Sequence, residues 1–84
     1  MTQPDDAAAS PTLRTRVVDD AVARRYELFG NDVLVAWLDY ADQGSTRIFV
    51  HTEVDPAFEG QGFAALLVEQ AVDQVRARGG KIIA

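Results

Sequence analysis

The sequence predicts an α+β fold: an antiparallel β-meander with one long amphipathic helix packed on it and a C-terminal strand stub. Three observations carry that prediction. β-prone apolar segments between Arg25 and Val54 are separated by turns of a few residues, and connections that short force antiparallel pairing. Ala64, Leu67, Val68, Ala71, Val72 and Val75 recur at helical spacing and form one apolar stripe. The glycine pair Gly79-Gly80 then stops the helix ahead of Lys81-Ile82-Ile83-Ala84, which reads as the opening of a strand.

Each element follows from its residues. Residues 1–12 are polar, small and punctuated by proline, so they are expected to be a disordered leader to a single domain over 13–84. Residues 13–18 alternate loosely and allow a short edge strand, after which Asp19 or Asp20 can cap a brief helical turn through Arg24. Arg25-Tyr26-Glu27-Leu28-Phe29 is β-prone, and Gly30-Asn31-Asp32 signals a turn. Residues 33–40 are nearly continuous in apolar content, as in a strand covered on both faces. Residues 46–54 alternate, which places Ile48, Val50 and Thr52 on one face and Phe49, His51 and Glu53 on the other. Pro56 ends that strand because it has no N–H to give a ladder. A helix is expected to begin near Gly60 to Gly62 and to run to Arg78, with Leu66 pointing away from the stripe.

Composition narrows the function. The chain has 84 residues and a net charge of −5, and its arginines do not gather into one long patch. Binding of nucleic acid through phosphate neutralisation is therefore not expected. With no cysteine and one histidine, thiolate and histidine-cluster metal sites are not expected. No segment is apolar for long enough to span a bilayer, and a cytoplasmic location is expected.

The stretch from Glu53 to Ala65 is the most informative. It joins a strand to a helix through a turn bearing Gly60 and Gly62. Such a turn aims backbone N–H groups and the positive end of a helix dipole at one spot, where an anion can sit without a basic side chain. The string Gly60-x-Gly62-x-x-Ala65 matches the letters of a dinucleotide fingerprint, but that fingerprint needs a parallel βαβ unit, whereas here a hairpin strand precedes it. No Lys-Ser/Thr pair follows the glycines, which excludes a P-loop, and neither Ser10 nor Ser45 sits in a nucleophile elbow.

From about Arg24 onward the chain resembles the GNAT-type N-acetyltransferase superfamily, and within it the small single-domain members. The resemblance rests on His51-Thr52-Glu53-Val54-x-Pro56 followed by Glu59-Gly60-Gln61-Gly62-Phe63-Ala64. In that superfamily the turn reads Arg or Gln, two variable residues, Gly, one residue, then Gly or Ala. Gly62 and Ala64 fill the last two places, while Glu59 stands where Arg or Gln is usual. The resemblance implies acetyl-coenzyme A as co-substrate and an amine as acceptor. It implies that amides of Gly60, Gln61, Gly62, Phe63 and Ala64 hold the pyrophosphate. It also implies that the pantetheine arm runs along Thr52-Glu53-Val54. Further strand and helix are expected after Lys81-Ala84, together with a cysteine that this sequence lacks, so the fold is expected to be a partial one.

His51 and Glu53 are two residues apart on one strand face and are the candidates to take a proton from the attacking amine. Trp37 and Tyr40 are candidates to line an acceptor pocket, or simply core. Arg24-Arg25 and Arg76 with Arg78 are solvated faces or contacts to the ribose phosphate of the coenzyme. The alternative to an enzyme is a non-catalytic coenzyme A-binding or protein-interaction module of the same fold. The open edge at Lys81 to Ala84 also allows a homodimer.

Overall fold

The structure, a computed structural model, describes residues 14–84; the expected leader at residues 1–12 lies outside them. Strands β1 (Thr15–Asp20), β2 (Arg25–Gly30), β3 (Val33–Gln43) and β4 (Thr46–Val54) form an antiparallel meander. A 3₁₀ turn at Pro56–Phe58 leads to helix α1 (Phe63–Ala77), and β5 (Lys81–Ile83) closes the sheet order β1-β2-β3-β4-β5. β5 lies parallel to β4, because the helix carries the chain back across the sheet before it re-enters.

The expected fold class holds, with corrections at particular residues. The weak edge segment is a full strand that continues to Asp20 and pairs along β2. No helical turn follows it. Residues 21–24 form a tight turn in which Asp20 Oδ1 accepts from Ala23 N at 3.1 Å and Arg24 takes φ of 57°. Asp20 thus caps a turn rather than a helix.

Two register shifts re-aim the sheet. Leu28 pairs with Ala36 and Phe29 with Leu34, so Val35 is an extra residue in β3. Asp39 pairs with His51 and Tyr40 with Phe49, so Val50 is an extra residue in β4. A bulge breaks strict alternation. Phe49 consequently joins the helix-facing side, with its ring 6.2 Å from that of Tyr26, while Val50 is 64% exposed. The expected pairing of Phe49 with His51 and Glu53 on one face is thereby overturned.

The core sits between the sheet and α1. Tyr26 and Leu28 of β2 and Ala36, Leu38 and Tyr40 of β3 are buried against Phe63, Leu67, Ala71 and Val75 of α1. Those four helix positions recur every fourth residue, with Val68 and Val72 half-buried beside them. Leu66 packs against this core, and Ala64, expected in the stripe, is exposed. The first turn explains both: α1 starts at Phe63, so Phe63 takes the core position and Ala64 turns outward.

Across the far end of the sheet lies a buried charge network. Arg47 is 4% exposed, and its guanidinium stacks 3.7 Å from the centroid of the Tyr40 ring. It donates to both oxygens of Asp42 at 2.7 and 2.8 Å, to Asp19 Oδ2 at 2.9 Å and to the Tyr26 hydroxyl at 2.9 Å. The Tyr40 hydroxyl donates to Asp19 in turn. These bonds tie β1, β2, β3 and β4 together through one side chain.

Candidate functional site

β4 carries the site because it is paired unevenly. On its inner side it pairs with β3 up to Val54, whereas β5 pairs with its outer side only at Thr46, Arg47 and Ile48. Among the described residues, the outer edge of β4 from Phe49 to Val54 has no strand beside it. An unpaired edge presents N–H and C=O groups to any extended partner.

Beyond β4 the chain turns sharply. Asp55 N donates to Val35 O at 2.8 Å, and Asp55 Oδ1 accepts from Ala57 N at 2.9 Å, which anchors the 3₁₀ turn. Gly60 and Gly62 then take φ of 81° and 79°, the left-handed region that suits glycine. Gly62 is the N-cap of α1 and offers no side chain to the helix amides. The first helical bond runs from Leu66 N to Gly62 O at 3.2 Å. The amides of Phe63, Ala64 and Ala65 come before it, so the helix gives them no internal acceptor.

Strand edge and helix start meet at one cleft of about 470 Å³. Thr52, Glu53 and Val54 of β4, Pro56 and Phe58 of the 3₁₀ turn, and Glu59, Gly60, Gly62, Phe63 and Ala64 of the loop and helix start line it. Phe58 and Phe63 meet edge to face at 6.3 Å beneath it. Of the residues expected to hold the cofactor, Thr52, Val54, Gly60, Gly62, Phe63 and Ala64 line this cleft. Gln61 is exposed and does not. Phe58 escaped notice in the sequence, and Pro56 was read only as a strand end and part of the resemblance, because their place in the cleft comes from the 3₁₀ turn.

Glu53 lines the cleft and His51 lies just outside it on the same strand. His51 Nε2 and Glu53 Oε1 are 3.5 Å apart, with the side chains 59% and 56% exposed. Their cross-strand partners are Asp39 and Trp37. Trp37 is half-buried on the face opposite α1, its ring 5.5 Å from the Arg25 guanidinium. Tyr40 lies on the helix side and belongs to the core. The two aromatic candidates are therefore on opposite sides of the sheet, and they do not line one pocket.

The arrangement is suited to an extended anionic ligand. The uncapped amides and the helix dipole suit an anion, and the free edge of β4 suits an extended segment beside it. Among the described residues no group of three or more His, Cys, Asp or Glu is placed to hold a metal ion. No helix among them is long and apolar enough to cross a membrane.

A family model described as GCN5-related N-acetyl-transferase matches residues 25–84, and the chain belongs to that family. Among solved structures, the fold resembles the ribosomal-protein-S18-alanine N-acetyltransferase from Escherichia coli, with a TM-score of 0.61 and 24% identity. That match covers 68% of this chain and 38% of the other. It also resembles the PaiA N-acetyltransferase from Thermoplasma acidophilum, solved in complex with coenzyme A, with a TM-score of 0.58 and 11% identity. Here 66% of this chain and 35% of the other are covered. The chain thus spans well under half the length of either structure. No curated protein matches the sequence.

Proposed function

We propose that the chain binds acetyl-coenzyme A in the cleft between β4 and α1 and transfers the acetyl group to an amine. The observation that carries this reading is the meeting of an uncapped helix start with a strand edge that, among the described residues, is unpaired beyond Ile48 and carries the Glu53 carboxylate. Family membership supports acetyl transfer as the general activity.

The residues fit the group. Amides at the start of α1, from Gly62 through Ala64, would hold the diphosphate, and Phe58 and Phe63 would pack the apolar floor. Thr52 and Val54 would pair through their backbone with the amides of the pantetheine arm, as an added strand does. When bound, the co-substrate supplies an activated acyl thioester. The acceptor nitrogen bonds to the acyl carbon, the carbon–sulfur bond breaks, and the sulfur leaves as a thiolate that takes a proton from water to give the thiol. Glu53, at the mouth of the cleft, takes the proton that the amine sheds, directly or through water, and His51 at 3.5 Å accepts it onward. Backbone N–H groups on the free edge of β4 would stabilise the acyl oxygen as charge builds on it.

The test has two stages. Calorimetry first establishes coenzyme A binding, and turnover of acetyl-coenzyme A is then measured with a panel of primary amines. Removing a general base typically costs 10²–10⁴-fold in rate, so Glu53→Gln is expected to lower kcat by about that factor with little change in coenzyme A affinity. His51→Gln is expected to lower kcat less, because His51 acts on the proton only after Glu53 has taken it. Binding without turnover of any amine would replace the enzyme with the non-catalytic module.

A further inference from the structure

The sheet face opposite α1 carries a block of six side chains that the fold brings together from three strands. Arg25 pairs with Asp39 and Asp39 with His51, while Glu27 pairs with Trp37 and Trp37 with Glu53. Cross-strand partners share a face, so the two rows lie side by side. Trp37 is the one aromatic ring of the block, set among charged and titratable groups.

Exposure is graded across it. On the β2 side Arg25 Nε is bonded to Glu27 at 2.8 Å, and that pair is largely closed, with side chains 30% and 12% exposed. On the β4 side His51 and Glu53 stand open, 3.5 Å apart and more than half exposed. The half-buried indole of Trp37 lies between the two pairs, with the Arg25 guanidinium 5.5 Å from its ring. The ring is therefore approached from the β4 side, past Glu53. Glu53 also lines the cleft beside Thr52 and Val54, and it is the one side chain common to block and cleft.

Resting on the reading above, we infer that Trp37 receives the stem of the acceptor, and that the acceptor is a primary amine on an apolar stem of several carbons. Direct partners on antiparallel strands hold their Cβ atoms about 4.5–5.5 Å apart. An amine nitrogen hydrogen-bonded to the Glu53 carboxylate thus has its first carbons within reach of the indole. Such an amine is an ammonium ion near neutral pH. Both groups suit one, the carboxylate by its charge and the ring by its negative face. Beyond the nitrogen, each methylene that the ring covers is removed from water, and the gain grows with the apolar area covered. Trp37 is the specificity-determining residue, because it is the only apolar surface of the block. An alkylamine and the side chain of a lysine in a protein share this chemistry.

Two measurements on the full chain, both with saturating acetyl-coenzyme A or coenzyme A, test the inference. In the first, turnover is followed with ethylamine, n-propylamine and n-butylamine. KM is expected to fall about twofold to fourfold per methylene, the range from partial to full covering of a CH₂. Trp37→Ala is expected to remove most of that dependence without changing coenzyme A affinity, and Trp37→Phe to keep it. In the second, Trp37 is the single tryptophan of the sequence, so its emission reports the site directly. Saturable change with n-butylamine, over the same concentrations as KM, is expected. A lower KM for Nα-acetyl-lysine amide than for n-butylamine assigns the stem to a lysine side chain, and otherwise to a free amine. Turnover that ignores stem length, or depends on it equally in Trp37→Ala, overturns the inference and leaves the proposed function standing. Emission unmoved by n-butylamine at several times KM overturns it as well. An emission change without turnover of any amine keeps the amine site and removes the transfer. Neither turnover nor emission change removes the proposed function and this inference together.

Discussion

Arg47 shows how much one residue can be asked to hold. It is the buried cation of the core, and its bonds to Asp19, Asp42 and Tyr26 satisfy four of the five guanidinium hydrogens. Those bonds favour the charged form and hold its proton more tightly than usual, against the opposing effect of burial. The Tyr40 hydroxyl is held protonated well above its ordinary range, first by burial and then by its bond to Asp19. Removing one partner of such a network strands the others. Arg47→Ala is expected to cost about 3–5 kcal/mol in chemical denaturation, a large part of what a small domain has. Nothing in the alternation of residues 46–54 marked Arg47 as buried, because two of its partners, Asp19 and Tyr26, come from strands more than twenty residues away in sequence.

At the scale of elements, the glycine turn decides where α1 begins. Gly62 has φ of 79°, and a Cβ there would meet open space, so the cost of a side chain is conformational rather than steric. For an L-residue that cost is about 1–2 kcal/mol. Gly62→Ala is expected to lower coenzyme A affinity by about 5–30-fold if the helix start re-forms with ordinary φ, since that re-aims the amides of Phe63 and Ala64. Titration calorimetry checks the affinity, and unchanged far-ultraviolet circular dichroism confirms that the helix persists. The turn and the helix stripe were legible in the sequence because glycine placement and 3.6-residue spacing are local signals. The bulge at Val50 was not. It is set by the partner strand, where Tyr40 and Phe49 face the core together, and it puts Phe49 on the side opposite to the one alternation assigned.

For the molecule as a whole, stability depends on keeping ionised the charge network that crosses one end of the sheet. The bond from Arg47 holds the Asp42 carboxyl below its ordinary range. A carboxyl lowered on folding contributes stability that is present above its unfolded value and is lost as pH falls through the folded one. The urea midpoint is therefore expected to drop as pH falls below about 4, the range of a free aspartate. Asp42→Asn is expected to flatten that drop. The carboxylate is 44% exposed, so solvent screening keeps the effect modest.

Local rules sufficed for the meander, the helix, the glycine-bearing turn and the placement of His51 and Glu53 on one strand face. Turn chemistry and hydrophobic period act between neighbours in the chain, and a sequence states them directly. Folding decided the rest: the parallel pairing of β5, the two bulges and the Arg47 network. Each of these depends on which strands lie side by side, and only long-range packing settles that.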